Sequence, residues 1–271
     1  MDEDARVMSK KLPLKGKRVV LTRPEADGAR FAERLSALGA EVLNIPLIRI
    51  VPKAEPESLA EVFREFASYE WLLFTSRNGV QHFMDMFLKA FEDIRSLGFV
   101  RLAVVGKGTA DALKSYHLRA DLVAEEATAI GLADSLQAQQ SLDNVKMLVV
   151  TGNRNRKELI DKLWESRAIV DTLQVYATEL CDLEEDARAQ EFREGGADAL
   201  VFASASAVEA FGEQASALTL VKGARVPVLC SFGPTTTAKM KASGIPLAIE
   251  ADSPGMEGMV EALVNYFSGS R

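Results

Sequence analysis

The chain has 271 residues, 48% of them hydrophobic and 26% charged, with a formal net charge of −7. That length and composition suit two globular domains whose cores need neither disulfides nor metal. The acidic balance weighs against nucleic acid as a partner, because neutralising phosphates needs a surplus of Lys and Arg on one face. No stretch has the unbroken apolar length of a membrane span, and the two cysteines, Cys181 and Cys230, form no CxxC pair and fit a reducing compartment.

The opening MDEDARVMSKKLPLKGK is acidic, then basic, and has no apolar core of a secretory signal. Residues 1–16 read as a solvated tail, and the protein as cytoplasmic. RVVLT (18–22) is a short apolar run typical of a buried strand. The next segment, EADGARFAERLSALG, puts Phe31, Leu35 and Leu38 on one helical face and stops at Gly39. EVLNIPLIRIV (41–51) is long and β-rich, and Pro46 marks it as an edge strand or exposed ribbon. WLLFT (71–75) reads as a strand, followed by a helix with Val80, Phe83 and Phe87 on one face. RLAVV (101–105) and MLVV (147–150) read as further buried strands. VDTLQVYATEL (170–180) is a second long β-rich segment, and ALVFA (199–203) is another strand.

These elements repeat. Phe74, Val80 and Phe83 map to Phe202, Val208 and Phe211 at an offset of 128, as do Val42 and Ile45 to Val170 and Leu173. Gly106, Thr109, Gly131 and Leu136 map to Gly233, Thr236, Gly258 and Leu263 at 127. A period this long is a duplicated domain rather than a solenoid array. The alternation of strand and helix predicts an α/β protein of two similar domains, each a parallel sheet flanked by helices. The β-rich segments 41–52 and 169–180 are expected to join them as a two-stranded ribbon.

Ligands of open parallel sheets bind beyond the carboxyl ends of the strands. There the chain places Thr22-Arg23-Pro24, Thr75-Ser76, Gly106-Lys107-Gly108-Thr109, Thr151-Gly152-Asn153, Ser204-Ala205-Ser206 and Gly233-Pro234-Thr235-Thr236. Each is expected to open a helix, where Ser and Thr cap backbone N–H groups and the dipole favours an anion. Taken singly they are ordinary caps; together, lining a cleft, they suit a ligand with several carboxylates. Gly106, Gly108 and Glu125 partly match a dinucleotide-binding turn, but Asp111 stands at the third glycine position. His82 and His117 are the only histidines, and His82 reads as a packed or surface residue. No HExxH, GxSxG or Cys/His cluster occurs, so no metal or cofactor is expected.

Several segments together resemble the uroporphyrinogen-III synthase family over residues 18 to about 265. They are LTRPEADGARFAERLSALGAEVLNIPLIRI, FTSRNGV, AVVGKGTADAL, VYATE and FGPTTTAKMKASGI. Two departures are Thr151-Gly152, where the family often has Arg-Gly, and FASAS, with Ala203 in place of Thr. The resemblance implies a discontinuous first domain, 1–40 plus 181–271, and a second over 53–168, in a monomer whose domains change angle. It implies cyclisation of hydroxymethylbilane to uroporphyrinogen III with inversion of ring D, without cofactor, and a transient contact with hydroxymethylbilane synthase.

The resemblance carries Tyr176 as the catalytic candidate, its phenol donating to the departing hydroxyl. An amphipathic β-residue with a solvated hydroxyl is the alternative for that position. Thr22, Arg23, Thr75, Ser76, Asn78, Gly106, Thr109, Gly152, Arg156, Ser204, Gly233, Thr235 and Thr236 are the substrate-binding candidates. A two-lobed small-molecule binding module without catalysis is the alternative function.

Overall fold

The computed structural model describes residues 12–154, 157–253 and 255–269. The first series of elements is β1 (Arg18–Leu21), α1 (Glu25–Ala37), β2 (Glu41–Asn44), β3 (Ile48–Pro52), α2 (Pro56–Arg64), β4 (Trp71–Phe74), α3 (Arg77–Phe91), β5 (Arg101–Val104), α4 (Lys107–Lys114), β6 (Leu122–Val123) and α5 (Ala129–Gln139). The second is β7 (Lys146–Gly152), α6 (Glu158–Glu165), β8 (Ile169–Leu180), α7 (Ala187–Gly195), β9 (Ala199–Phe202), α8 (Ala205–Glu213), β10 (Val228–Ser231), α9 (Pro234–Ala242), β11 (Ile249–Glu250) and α10 (Met256–Ser268).

The chain forms two compact units, Met1–Arg49 with Glu179–Arg271, and Ile50–Thr178. The first holds a five-stranded sheet in the order β11-β10-β9-β1-β2, and the order β3-β8-β7-β4-β5-β6 makes the second sheet. Apart from the β3–β8 edge, neighbouring strands run parallel. At that edge Lys53 N–H donates to the Val175 carbonyl and Cys181 N–H to the Leu47 carbonyl, which makes the pair antiparallel.

The strands obey the repeat: 18, 41 and 71 begin β1, β2 and β4, and 146, 169 and 199 begin β7, β8 and β9. The first repeat therefore gives β1 and β2 to the first unit and β4, β5 and β6 to the second. The second repeat does the reverse, so each sheet is assembled from both.

Both sheets bury both faces, as near-continuous apolar strands require. In β4, Leu72 and Phe74 face a core with Phe83 and Phe87 of α3, while Trp71 and Leu73 face Leu132 and Leu136 of α5 and Leu159 and Leu163 of α6. In β9, Leu200 and Phe202 face Phe192 and Val208, while Ala199 and Val201 face Phe31, Leu35, Met259 and Leu263. The helix glycines of the repeat have the same steric cause in each unit. A Cβ at Gly131 would strike the Glu126 carbonyl oxygen, and one at Gly258 the Ser253 carbonyl oxygen.

Three expectations change. The tail expected over residues 1–16 falls largely outside the described residues, but Leu14 is buried in the core and its N–H donates to the Leu38 carbonyl at 3.0 Å. The chain is thus anchored before β1. Pro46 does not itself sit in a strand; it is buried in the short link between β2 and β3, although each of these lies at the edge of a sheet, as expected of this segment. The third is Thr151-Gly152, which ends β7 rather than opening a helix; α6 starts only at Glu158.

Candidate active site

In the second unit the parallel strands β4, β5 and β7 end together, and the turn after β4 carries Thr75 and Ser76. Ser76 is the N-cap of α3: its Oγ accepts the Gly79 N–H at 2.9 Å. Gly79 fits because a Cβ there would come within 3.2 Å of that Oγ. The same Ser76 Oγ lies 3.1 Å from the Tyr176 hydroxyl.

Tyr176 reaches this position through an irregularity. β7 and β8 pair in register up to Thr151 with Gln174, and then Gly152 pairs with Tyr176, skipping one residue. Such a bulge re-aims the side chains that follow it. The half-buried phenol lies on Gly152, where a Cβ would fall against ring atoms Cζ and Cε2 and 2.9 Å from the hydroxyl. The His82 ring stacks on the phenol at a centroid distance of 5.8 Å and 28° between planes. Beyond the bulge, Asn153 closes the strand end: its Oδ1 accepts Thr178 N–H at 2.8 Å and its Nδ2 donates to the Thr178 carbonyl at 3.2 Å.

Burial pushes the His82 imidazole below its usual value, with Asp85 acting weakly against it. A neutral ring therefore faces the phenol near pH 7. The sequence shows His82 as a packed or surface residue but gives no sign of its stacking partner. Asn153 is visible there only as part of a turn.

The other candidates of this unit divide by burial. Thr75 and Asn78 are half-buried beside Ser76 in the same turn and first helical turn. Gly106 is the N-cap of α4, where no side chain caps the helix, so first-turn N–H groups are available to an anion. Thr109 is buried, only 5% exposed. Asp111, at the third glycine position of the partial dinucleotide motif, pairs with Lys114 at 2.6 Å. Arg156 lies outside the described residues.

In the first unit Ser204 caps α8 by accepting Ala207 N–H at 3.2 Å, and its second hydroxyl neighbour is Ser206 at 3.0 Å. Thr22 is 1% exposed and donates its hydroxyl to the Val201 carbonyl at 2.8 Å, which ties β1 to β9. Arg23 is half-buried with its guanidinium 5.5 Å from the centre of the Phe232 ring. Gly233, at φ 152°, opens α9 without a side-chain cap; Thr236 is buried and Thr235 exposed. Cys230 is buried and its thiol is pushed up to about 12, so it offers no thiolate near neutrality.

The arrangement can orient a phenol donor and offer hydroxyls and helix N-termini to carboxylates.

A family model described as uroporphyrinogen-III synthase HemD matches residues 29–261. The chain is 29% identical over 205 residues to a porphyrin biosynthesis protein HemD of Ruminiclostridium josui, covering 74% of this chain and 40% of that protein. It is 26% identical over 263 residues to the uroporphyrinogen-III synthase of Synechococcus elongatus, covering 94% and 97%. Its fold is shared with a solved mutant uroporphyrinogen III synthase of Thermus thermophilus, at a TM-score of 0.66 and 22% identity over 94% of this chain and 100% of the other.

Proposed function

The chain belongs to the uroporphyrinogen-III synthase family, the cyclising lyases of tetrapyrrole biosynthesis, and we propose that it converts hydroxymethylbilane to uroporphyrinogen III with Tyr176 assisting the first step. In that step the C–O bond of the hydroxymethyl group breaks and the electron pair leaves with oxygen. The pyrrole nitrogen supplies electrons to form an azafulvene, and its N–H proton completes the water that departs. The electron-rich substituted carbon of the terminal pyrrole attacks the methylene carbon of the azafulvene, whose nitrogen takes back a proton, and fragmentation and reclosure of the spiro intermediate invert ring D.

The substrate's own electron-rich rings drive these steps. The protein's task is to fold the bilane, hold its carboxylates and prevent simple head-to-tail closure. Arg23, Thr75, Asn78, Gly106, Ser204, Gly233 and Thr235 are the binding groups of this reading; Thr22, Thr109 and Thr236 are buried at the turns, and Ser76 acts beside Tyr176. The observation that carries it is the Tyr176 hydroxyl, fixed 3.1 Å from Ser76 by a bulge and a glycine that a plain strand does not need. A neutral phenol is a weak acid, so it assists by hydrogen bonding to the departing oxygen.

No described helix is long and apolar enough to cross a membrane. Cytoplasmic placement belongs to the same proposal, as Cys181 and Cys230 lie far apart in the sequence without a CxxC spacing, which suits a reducing compartment. So does a transient contact with hydroxymethylbilane synthase, because free bilane also closes spontaneously. The test supplies bilane and separates the type I and type III isomers. Type III product is expected; type I alone, at the uncatalysed rate, refutes the proposal.

A further inference from the structure

Ser76 has one proton and Tyr176 has one proton, and their oxygens are 3.1 Å apart. Two arrangements fit. If the phenol donates to Ser76, its only proton points inward and nothing remains for a ligand. If Ser76 donates to the phenol, the Tyr176 proton points outward.

The surroundings select the second arrangement once an acceptor arrives. Ser76 Oγ already accepts the Gly79 N–H at 2.9 Å, at the positive end of the fifteen-residue helix α3. Accepting that bond in the field of the helix N-terminus polarises the serine O–H, making it a better donor and a poorer second acceptor. The phenol cannot turn aside, because Gly152 lies flat beneath it and His82 stacks on it. With an accepting oxygen bound at Tyr176, the outward order satisfies every group: Gly79 N–H to Ser76, Ser76 to Tyr176, Tyr176 to the ligand.

We propose that Ser76 is a positioning residue that directs the Tyr176 proton toward the departing oxygen, the cap of α3 thereby setting the polarity of the hydrogen-bond chain. This rests on the reading of Tyr176 given above. Ser76 touches no reacting atom in this role, and no covalent step is added to the reaction.

The test separates capping from proton direction. Asp is as good an N-cap as Ser but, ionised, only accepts hydrogen bonds. Ser76→Asp should therefore keep the unfolding midpoint and draw the Tyr176 proton inward. Its kcat for type III formation is expected to fall by about the factor seen in Tyr176→Phe, at most about 10²-fold. Ser76→Thr, which keeps both cap and hydroxyl, should recover the rate to within about threefold, given that a Thr cap is only slightly poorer.

The added carboxylate also repels an anionic substrate, so both variants are measured in the wild-type background and in the Tyr176→Phe background. Action through Tyr176 predicts that Ser76→Asp costs little further kcat once the phenol is gone. An equal kcat loss in the two backgrounds, or wild-type kcat in Ser76→Asp alone, overturns the proposal. If Ser76→Asp does not fold, Ser76→Ala in the two backgrounds gives the same cycle. Wild-type kcat in Tyr176→Phe would instead overturn the reading on which it rests.

Discussion

Ser76 and Ser204 stand 128 residues apart, at the same place in the two repeats, and each caps the helix after its strand. Ser204 finds its second partner two residues along, at Ser206; Ser76 finds its partner a hundred residues away, at Tyr176. The neighbouring positions diverge in the same direction. Tyr176 corresponds to Ile48, which is buried in the core of its unit, and His82 to Ala210, which is fully buried. The fold asks for the cap in both units, since any helix start needs its N–H groups satisfied. It asks for the phenol in neither. The difference between these copies of one architecture thus shows that the shared fold does not require the phenol, which fits the role proposed for it.

The largest effect expected along this comparison concerns packing. Phe83 is fully buried, with ring contacts to Phe63, Phe66, Phe74 and Phe87. Its counterpart Phe211 is only partly buried against Phe202. Phe83→Ala should cost about 3–5 kcal/mol in denaturant unfolding, and Phe211→Ala clearly less. Equal losses would mean that the two cores are packed alike.

Next comes Gly152→Ala. The new methyl must displace the Tyr176 ring, so type III formation should fall as far as in Tyr176→Phe, up to about 10²-fold. A variant that turns over normally would show that the ring's place over Gly152 does not matter.

Smaller still are the caps. Ser76→Ala and Ser204→Ala should each lose about 1 kcal/mol of stability. Only Ser76→Ala should also lower type III formation through Tyr176. An equal effect on the isomer ratio in both would erase the distinction between the units.

The smallest effect is the pH dependence of His82. Its folded-state value is depressed by burial, so its contribution to stability is full above about pH 6.5 and is lost as pH falls through the lowered value. His82→Phe, which stacks without titrating, should show a smaller drop in unfolding midpoint between about pH 7 and about pH 5, the range in which histidine titrates. An identical drop would remove His82 from the account.

Much of the fold is open to reading from the chain. The constant offset between Phe74 and Phe202, or Gly131 and Gly258, announces two copies, and strand runs such as WLLF are buried on both faces as their composition demands. What an offset does not carry is which strands share a sheet, since β1 and β7 are alike in sequence pattern whichever sheet they join. Pro46 points rightly to edge strands, since β2 and β3 each lie at the edge of a sheet, but it does not show that the segment divides into two strands around it.

In the site, Ser76 is legible as a cap, and Tyr176 through family likeness. Their contact is not. It depends on Val175 being skipped on β8 opposite the step from Thr151 to Gly152, and no residue type signals a bulge in LQVYA. Gly152 is visible as a glycine after a strand, but its reason, the ring above it, lies 24 residues further along the chain.

The central claim is that the phenol of Tyr176 is there for the reaction and not for the fold. Its most direct test is Tyr176→Phe, supplied with bilane, with the rate and isomer ratio followed beside the unfolding midpoint. The account predicts an unchanged midpoint, type III formation slowed by up to about 10²-fold, and type I product rising in its place. Wild-type rate and isomer ratio in a folded Tyr176→Phe protein would contradict it.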